Sequence, residues 1–341
     1  MSAEVENMFY YGETPWHGQG KPVDQALTAE EAIVTSGLDW TVTTLPMYLN
    51  LPGVGITKID GRNAIVRETD NKVLSNALLG DNYTPIQNRE AFNFFDEVVA
   101  DKKAKYHTAG SLFGGRWVWI LAKLNDTISI KGDAVDKYLL LMNGHDGSLA
   151  FKMFFTPIRV VCYNTLTAAD AEARAMMRKG NFNGMFYARH SKSVMNHLHD
   201  ARDILGISVK YYEEFEEQAK ELAKFQLPAA ELPKLLVAAF NTTGAIKPEE
   251  VTTLANYDFS TRRQNQMATI TRLFEGEGKG LNDPAIKGTK WAGYNAVVEY
   301  CDFARKYGGS DPNENRLKNT LFAGGAAIKQ RAWNYLLKTL K

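Results

Sequence analysis

The chain has 341 residues, with 40 Lys and Arg against 39 Asp and Glu, so its formal net charge is +1. This balance excludes a protein that is basic throughout and wraps nucleic acid, and it also excludes an acidic-tail protein. Hydrophobic residues make up 45% of the chain, which is typical of a globular protein with a large core and excludes predominant disorder.

The predicted elements of the first half are short helices and strands. Thr28-Ala-Glu-Glu31 has the pattern of a capping box and predicts a helix that ends at Ser36. Strands at 40–51 and 64–67 and a helix over 89–100 follow. The loop Asn143-Gly-His-Asp-Gly147 carries two strong hairpin signals, and it lies within a series of β-rich runs at 116–124, 127–131, 137–142, 149–155 and 158–163. An antiparallel β-meander with packed helices is therefore expected.

The second half has helical patterns almost throughout. They are predicted at 190–225, with an interruption near Gly206, and at 248–255, 262–274, 291–307 and 326–340. The fold class is thus predicted to be α+β, with an antiparallel β-meander sheet in the N-terminal half and an all-helical C-terminal half. At roughly 100–200 residues per domain, we expect an α+β core domain at 1–190 and a helical domain at 191–341.

Cysteine use and the chain start indicate a cytoplasmic protein. The only two cysteines are Cys162 and Cys301, so structural disulfides and a cysteine-rich zinc module are not expected. The first residues are acidic where a signal peptide is basic, and no apolar run approaches the roughly 18–20 residues that a membrane span needs.

No catalytic residue, metal site or cofactor is predicted. His197 and His199 lie near His190, but at about 100° per residue they point to nearly opposite faces of a helix and cannot chelate one metal alone. His145 and Asp146 suggest acid–base chemistry, but we interpret them as turn residues at a hairpin tip. The glycine-rich run 275–280 lacks P-loop spacing and predicts a mobile loop. An enzyme is therefore disfavoured, although not excluded.

A basic and aromatic stretch is the strongest functional signal in the sequence. No acid occurs from Ala173 to His199, while five cations do, and Phe182, Phe186 and Tyr187 are interleaved with them. A single-stranded nucleic-acid groove needs cations for the phosphates and rings on which bases stack. We expect Phe182 or Tyr187 to stack on bases and the following cations to contact phosphates: Arg174, Arg178, Lys179, Arg189 and Lys192.

A second acid-free stretch, 315–341, carries six cations, and Lys102, Lys103 and Lys105 form a third basic cluster. The alternative interpretation of all three clusters is a set of solvated helix faces, balanced by acids such as Glu213 and Glu217.

Six segments also carry a resemblance that spans nearly the whole chain. They are Glu6-Asn-Met-Phe-Tyr-Tyr-Gly-Glu-Thr-Pro-Trp-His-Gly18, Tyr83-Thr-Pro-Ile-Gln-Asn88, Tyr138-Leu-Leu-Leu-Met-Asn-Gly-His-Asp-Gly-Ser148, Thr156-Pro-Ile-Arg-Val-Val-Cys-Tyr-Asn-Thr-Leu166, Trp291-Ala-Gly-Tyr-Asn-Ala-Val-Val-Glu-Tyr300 and Phe322-Ala-Gly-Gly-Ala-Ala-Ile-Lys-Gln-Arg-Ala332. In this order they resemble the phage- and plasmid-type proteins of domain-of-unknown-function family 932. That resemblance implies work on DNA in a bacterial host cell and supplies no catalytic residues.

Two polar residues within these segments, Arg159 and Asn164, could face a binding groove, although Asn164 could instead cap the following helix. A sheet of hairpins followed by a helix also resembles the core of single-strand annealing proteins, which form rings around a basic groove. The leading hypothesis is a protein that binds or anneals single-stranded DNA in recombination or replication, as a homo-oligomer and without a cofactor. The alternatives are a metal-dependent nuclease or hydrolase, and a protein that binds host factors.

Overall fold

A computed structural model of the chain describes residues 6–12, 20–75, 78–100, 104–159, 164–165, 185–192, 204–240, 246–308, 312, 315–316 and 324–340. The chain forms two compact units. Unit 1 comprises Met1–Asn125, Tyr138–Phe155 and Gly184–Ser208, and unit 2 comprises Asp126–Lys137, Thr156–Asn183 and Val209–Lys341. The sequence-based division at residue 190 stays a prediction.

The described strands form two sheets. They are β1 (Met8–Tyr11), β2 (Lys21–Val23), β3 (Val42–Leu51), β4 (Gly55–Arg67), β5 (Lys72–Val73), β6 (Lys105–Leu112), β7 (Trp117–Ile130), β8 (Asp133–Gly144), β9 (Phe151–Arg159), β10 (Asn164–Thr165) and β11 (Met185–Ala188). The larger sheet has the order β10-β9-β8-β7-β6-β1-β2, with β11 also paired to β9, and the smaller has the order β3-β4-β5. From β6 to β10 neighbouring strands follow chain order, which is the predicted meander.

The described α-helices are α1 (Ala29–Thr35), α2 (Asn88–Ala100), α3 (Ile204–Lys224), α4 (Leu232–Phe240), α5 (Thr261–Arg272), α6 (Lys290–Glu299) and α7 (Gly324–Lys338). Single 3₁₀ turns at Pro248–Glu250 and Leu254–Asn256 and π turns at Leu273–Glu277 and Tyr300–Ala304 lie between them. Helix α1 begins with the predicted capping box, because Thr28 Oγ1 accepts from the Glu31 amide while the Glu31 carboxylate accepts from Thr28.

Aromatic rings from α2 fill the core of unit 1. Phe92 and Phe95 lie against Tyr106 on β6, with ring centroids 6.1 and 5.8 Å apart. Phe94 meets Phe151 on β9 at 5.6 Å. These offset and edge contacts account for the strongly amphipathic pattern of α2.

The core of unit 2 combines aromatic rings with buried polar pairs. The Trp333 ring stacks on Phe215 at 5.4 Å and meets Tyr294 edge-on at 4.8 Å. The buried Trp291 donates its indole N–H to Asp133 at 2.8 Å. A buried polar side chain needs such a partner, so Trp291 fixes α6 against the strand that carries Asp133.

The mixed α+β class is confirmed. The predicted helix at 248–255 is wrong, because this segment forms two separate 3₁₀ turns. The runs predicted at 149–155 and 158–163 overlap a single strand, β9, as far as Arg159. No helix among the described residues has the length and apolar character that a membrane crossing requires.

Candidate functional site

Only part of the predicted DNA-binding stretch is described. Arg174, Arg178, Lys179 and Phe182 lie outside the described residues. Of Arg159 and Asn164 only the backbone is described, and the two residues are opposite each other in the antiparallel pair β9–β10. The side chains of Tyr187, Arg189 and Lys192 are described in full.

Strand β11 positions Tyr187 on one face of the sheet. It pairs antiparallel with β9, so that Tyr187 is opposite Lys152 and Phe186 is opposite Met153. Phe186 is buried and its ring lies 5.9 Å from that of Phe94 on α2. Because neighbouring side chains on a strand point to opposite faces, Tyr187 and Lys152 lie on the face away from α2.

The residues after β11 are accessible. Tyr187 is half-buried, and Arg189 and Lys192 are exposed. This short segment therefore presents a half-buried tyrosine followed by two exposed cations, and rings and cations are the groups that a single strand of nucleic acid contacts. Phe186, which the sequence pattern grouped with the exposed rings, is instead a core residue.

The basic tail is less available than its charge count indicates. Lys329 is fully buried and its Nζ lies 2.6 Å from the equally buried Asp302 carboxylate. Arg331 is half-buried, and its Nε donates to the Ala239 carbonyl at 2.8 Å. These two side chains contact the interior of unit 2, so the tail is not simply a solvated basic face.

A buried polar cluster in unit 1 surrounds the 143–147 loop. Asn143 and His145 have no exposed surface, and Asp146 has almost none. The loop joins β8 to its neighbour β9, as a hairpin turn does, but hairpin signals do not predict its burial, which comes from residues 83–88 and from aromatic side chains. Trp40 lies 5.2 Å from the His145 ring.

Hydrogen bonds hold this loop to residues far away in the sequence. Tyr83 donates to the Gly144 carbonyl at 3.0 Å, and Asn143 donates to the Ile86 carbonyl at 2.9 Å. Asp146 accepts from the Trp117 indole at 3.0 Å and from the Ser148 hydroxyl at 2.7 Å.

The tautomer of His145 follows from its partner. The Asn88 amide nitrogen donates to the Leu38 carbonyl at 2.9 Å, so the Asn88 oxygen faces His145 Nε2 at 2.9 Å. An amide oxygen only accepts, and therefore His145 Nε2 carries the hydrogen. The other ring nitrogen, Nδ1, has no hydrogen-bond partner among the described residues.

Both histidines of the cluster are neutral at neutral pH. Burial, with a smaller contribution from His190, lowers the pKa of His145 to about 3. Burial lowers the pKa of His190 to about 4, against opposing effects of the Thr84 and Leu149 backbone and of the Asp146 carboxylate. The His190 ring stacks on Tyr83 at 5.0 Å. Neutral rings packed in this way hold the loop in place.

The sequence contained a signal for this cluster that hairpin propensity obscured. Asn88 and Asn143 are polar residues next to apolar runs, and both lie in segments that carry the family resemblance. Buried amides of this kind fix chain crossings through hydrogen bonds to backbone groups.

The β3–β4 hairpin carries a second notable surface. Its side chains are largely exposed towards the turn, including Val54 at 74% and Ile56 at 77%. Leu45, Tyr48, Leu49 and Leu51 add further exposed apolar area on β3. The register places Ile56 on the same face as Tyr48, with Leu49 and Leu51 on the opposite face. Exposed apolar side chains grouped on one hairpin in this way indicate an interaction surface.

A comparison with protein families matches residues 77–322 to the family described as "Domain of unknown function (DUF932)". No curated protein and no solved structure matches the chain.

Proposed function

The chain belongs to the DUF932 family, and on this premise we propose that it binds or anneals single-stranded DNA in recombination or replication. The observation that carries the proposal is the acid-free basic and aromatic stretch 173–199. Its described part supports the proposal, because Arg189 and Lys192 are exposed and Tyr187 lies on the sheet face away from α2. The family's phage and plasmid setting in a bacterial cytoplasm is part of the same proposal.

Binding is electrostatic and weakly specific for sequence under this proposal. Cations of the stretch follow the phosphates, and Tyr187 stacks on a base at a gain of about 1–3 kcal/mol. Each phosphate contact on a single strand contributes a slope of about −0.7 to log affinity against log salt. Several contacts therefore make the affinity fall steeply between about 50 and about 200 mM salt.

Fluorescence anisotropy of a labelled oligonucleotide tests the proposal. The double variant Arg189→Gln/Lys192→Gln should lower affinity and reduce the salt slope by about 0.7 for each lost contact. Lys21→Gln/Lys287→Gln is the matched control, because it also removes two exposed cations, and both lie outside the 173–199 stretch and the β3–β4 hairpin. Unchanged anisotropy of the wild type at low salt, or equal effects of the control and the double variant, contradicts the proposal.

We also propose that the protein acts as a homo-oligomer, in which the exposed apolar hairpin β3–β4 packs against another copy. Towards its turn this hairpin is only two strands wide, because β5 pairs with Val66 and Arg67 at the other end of β4. Burial of Val54 and Ile56 against a partner would stabilise this end. The mass of the protein, measured with and without single-stranded DNA, tests whether the chains form a ring that reorganises on the DNA strand. For the region 191–341 we propose that helices and short helical turns are the only regular elements, in line with its described helices from Ile204 onward.

The two alternatives are weighed against these observations. A hydrolase that uses His145 or Asp146 needs an accessible acid or base, and both side chains are buried. A protein that binds host factors fits the exposed hairpin as well as an oligomer does. Capture of a host protein by the wild type, with a monomeric mass throughout, would favour that alternative.

A further inference from the structure

Four arginines line one pocket of unit 2. They are Arg262 and Arg263 at the start of α5, Arg305 after the second π turn, and Arg331 on α7. The pocket offers a volume of about 380 Å³. Ser260 and Gln266 also line it, and no acidic side chain is among its described lining residues.

The arginines are held in place by groups that do not neutralise them. The Arg263 guanidinium lies 4.5 Å from the Phe240 ring centroid, and Arg305 lies 5.2 Å from that of Tyr307. Arg331 donates Nε to the Ala239 carbonyl at 2.8 Å. Ring and carbonyl contacts orient a guanidinium while leaving its full positive charge in the pocket.

Arg305 has unused donors. Its Nε and Nη1 are shielded from solvent, and neither has a hydrogen-bond acceptor among the described residues. A buried charged donor without a partner is costly, so native structures satisfy it with protein, water or ligand. Anionic oxygens placed in the pocket would accept from these two donors, one from each side of the guanidinium group.

The amino end of helix α5 adds partial positive charge to the pocket. Ser260 caps α5 by accepting from the Arg263 amide, so Arg262 and Arg263 occupy the first helical turn. Cations are disfavoured there, because the amino end of a helix is already positive. Burial lowers the pKa of Arg263, partly opposed by Tyr300, and the charges of Arg262 and Arg305 lower it further.

We propose that this pocket binds a phosphate group, carried either by a free nucleotide or pyrophosphate or by the backbone of a DNA strand. Planar guanidinium groups pair with phosphate oxygens through two parallel hydrogen bonds, and four of them neutralise a multiply charged group. The volume lies within the range of small-molecule sites. The proposal concerns unit 2 and does not depend on DNA binding by the 173–199 stretch.

Calorimetric titration with pyrophosphate and with a deoxynucleoside monophosphate tests the pocket. Arg305→Gln removes the unused donors, and Arg262→Gln removes an exposed side chain that the fold does not need. Each should weaken binding at least tenfold. Arg272→Gln is the matched control, because Arg272 lies on the same helix outside the pocket and is exposed. The proposal is overturned if Arg262→Gln and a correctly folded Arg305→Gln both bind pyrophosphate with the wild-type affinity. It is also overturned if the wild type binds neither ligand.

Competition separates the two sources of the phosphate. If the pocket holds a backbone phosphate, pyrophosphate displaces a labelled strand and Arg305→Gln weakens strand binding. If it holds a free nucleotide, strand binding is unchanged while nucleotide binding is lost. A protein that binds no strand at all still gives the calorimetric result, so failure of the DNA proposal is distinguishable from failure of this one.

Discussion

Acidification should destabilise the protein through two histidines of unit 1, the buried His145 and the half-buried His190. The pKa of His145 is about 3 and that of His190 is about 4 in the folded chain, against an unfolded value of about 6.5. Between these values the unfolded chain binds more protons than the folded one, so stability is complete above about pH 6.5 and falls as the pH falls.

The size of the effect follows from the same values. At about pH 5 both folded rings are still neutral, while nearly every unfolded imidazole is protonated. Each histidine then costs about 1.4 kcal/mol per pH unit over about 1.5 units, or about 2 kcal/mol. Together they should remove about 4 kcal/mol of unfolding free energy between about pH 7 and about pH 5. Carboxylates with lowered pKa, such as Asp70, contribute at lower pH.

Urea unfolding followed by tryptophan fluorescence measures this loss. His190→Gln keeps a polar side chain of similar size beside Tyr83 and should halve the loss to about 2 kcal/mol. Nitrogen chemical shifts of labelled histidine provide an independent measurement, in which His145 should show a hydrogen on Nε2 and no titration down to about pH 4. An imidazole at this site that titrates at its ordinary pKa, or an equal pH loss in His190→Gln, would refute the reasoning.

Three further outcomes are expected. Lys329→Met should lower the free energy of unfolding in urea by about 3–5 kcal/mol, because it leaves the Asp302 carboxylate buried without its cation. The double variant Lys329→Met/Asp302→Leu should recover most of this loss. Equal free energies of unfolding for the wild type and Lys329→Met would contradict a buried ion pair. Gly144→Ala should destabilise by about 1–3 kcal/mol, since its Cβ would lie 2.4 Å from the Leu149 carbonyl oxygen; an unchanged urea midpoint would contradict that crowding. Ile56→Asp should reduce the mass in sedimentation to that of the monomer, and an unaltered oligomer would exclude the hairpin as the interface.

Elements with local signals were predictable from the sequence. The capping box at Thr28 begins α1 where the pattern indicates, and α2 begins at Asn88, one residue before its predicted start. The structure of segment 248–255 could not be predicted in this way. Its apolar spacing resembles that of a helix, but Thr253 accepts from the Ala255 amide and begins a new turn. Threonine favours such local bonds over a continuous helix.

Burial of polar side chains was the main feature that local signals could not predict. Asn-Gly and Asp-Gly describe the backbone of the 143–147 loop correctly, but its covering comes from residues near Ile86, 57 positions earlier. Lys329 was counted as a surface charge because its partner, Asp302, is not a neighbour on α7. Local sequence signals could not predict the candidate phosphate pocket either, because its arginines come from three separate parts of unit 2.

The family resemblance and the proposed ligand contacts rest largely on different residues, although Arg331 of the pocket and the groove candidates Arg159 and Asn164 lie within resembling segments. The resembling segments 83–88, 138–148 and 291–300 supply Asn88, His145 and Trp291, which are buried and hold chain crossings together. Arg189, Arg262 and Arg305 lie outside every resembling segment. Membership of the family therefore identifies a framework, and it neither supports nor opposes a phosphate ligand. A fold is retained by its buried polar crossings, whereas ligand binding depends on side chains that the framework leaves accessible. Substitution of Arg305 consequently tests the proposed phosphate pocket, while substitution of His145 tests the hydrogen-bonded framework around the 143–147 loop.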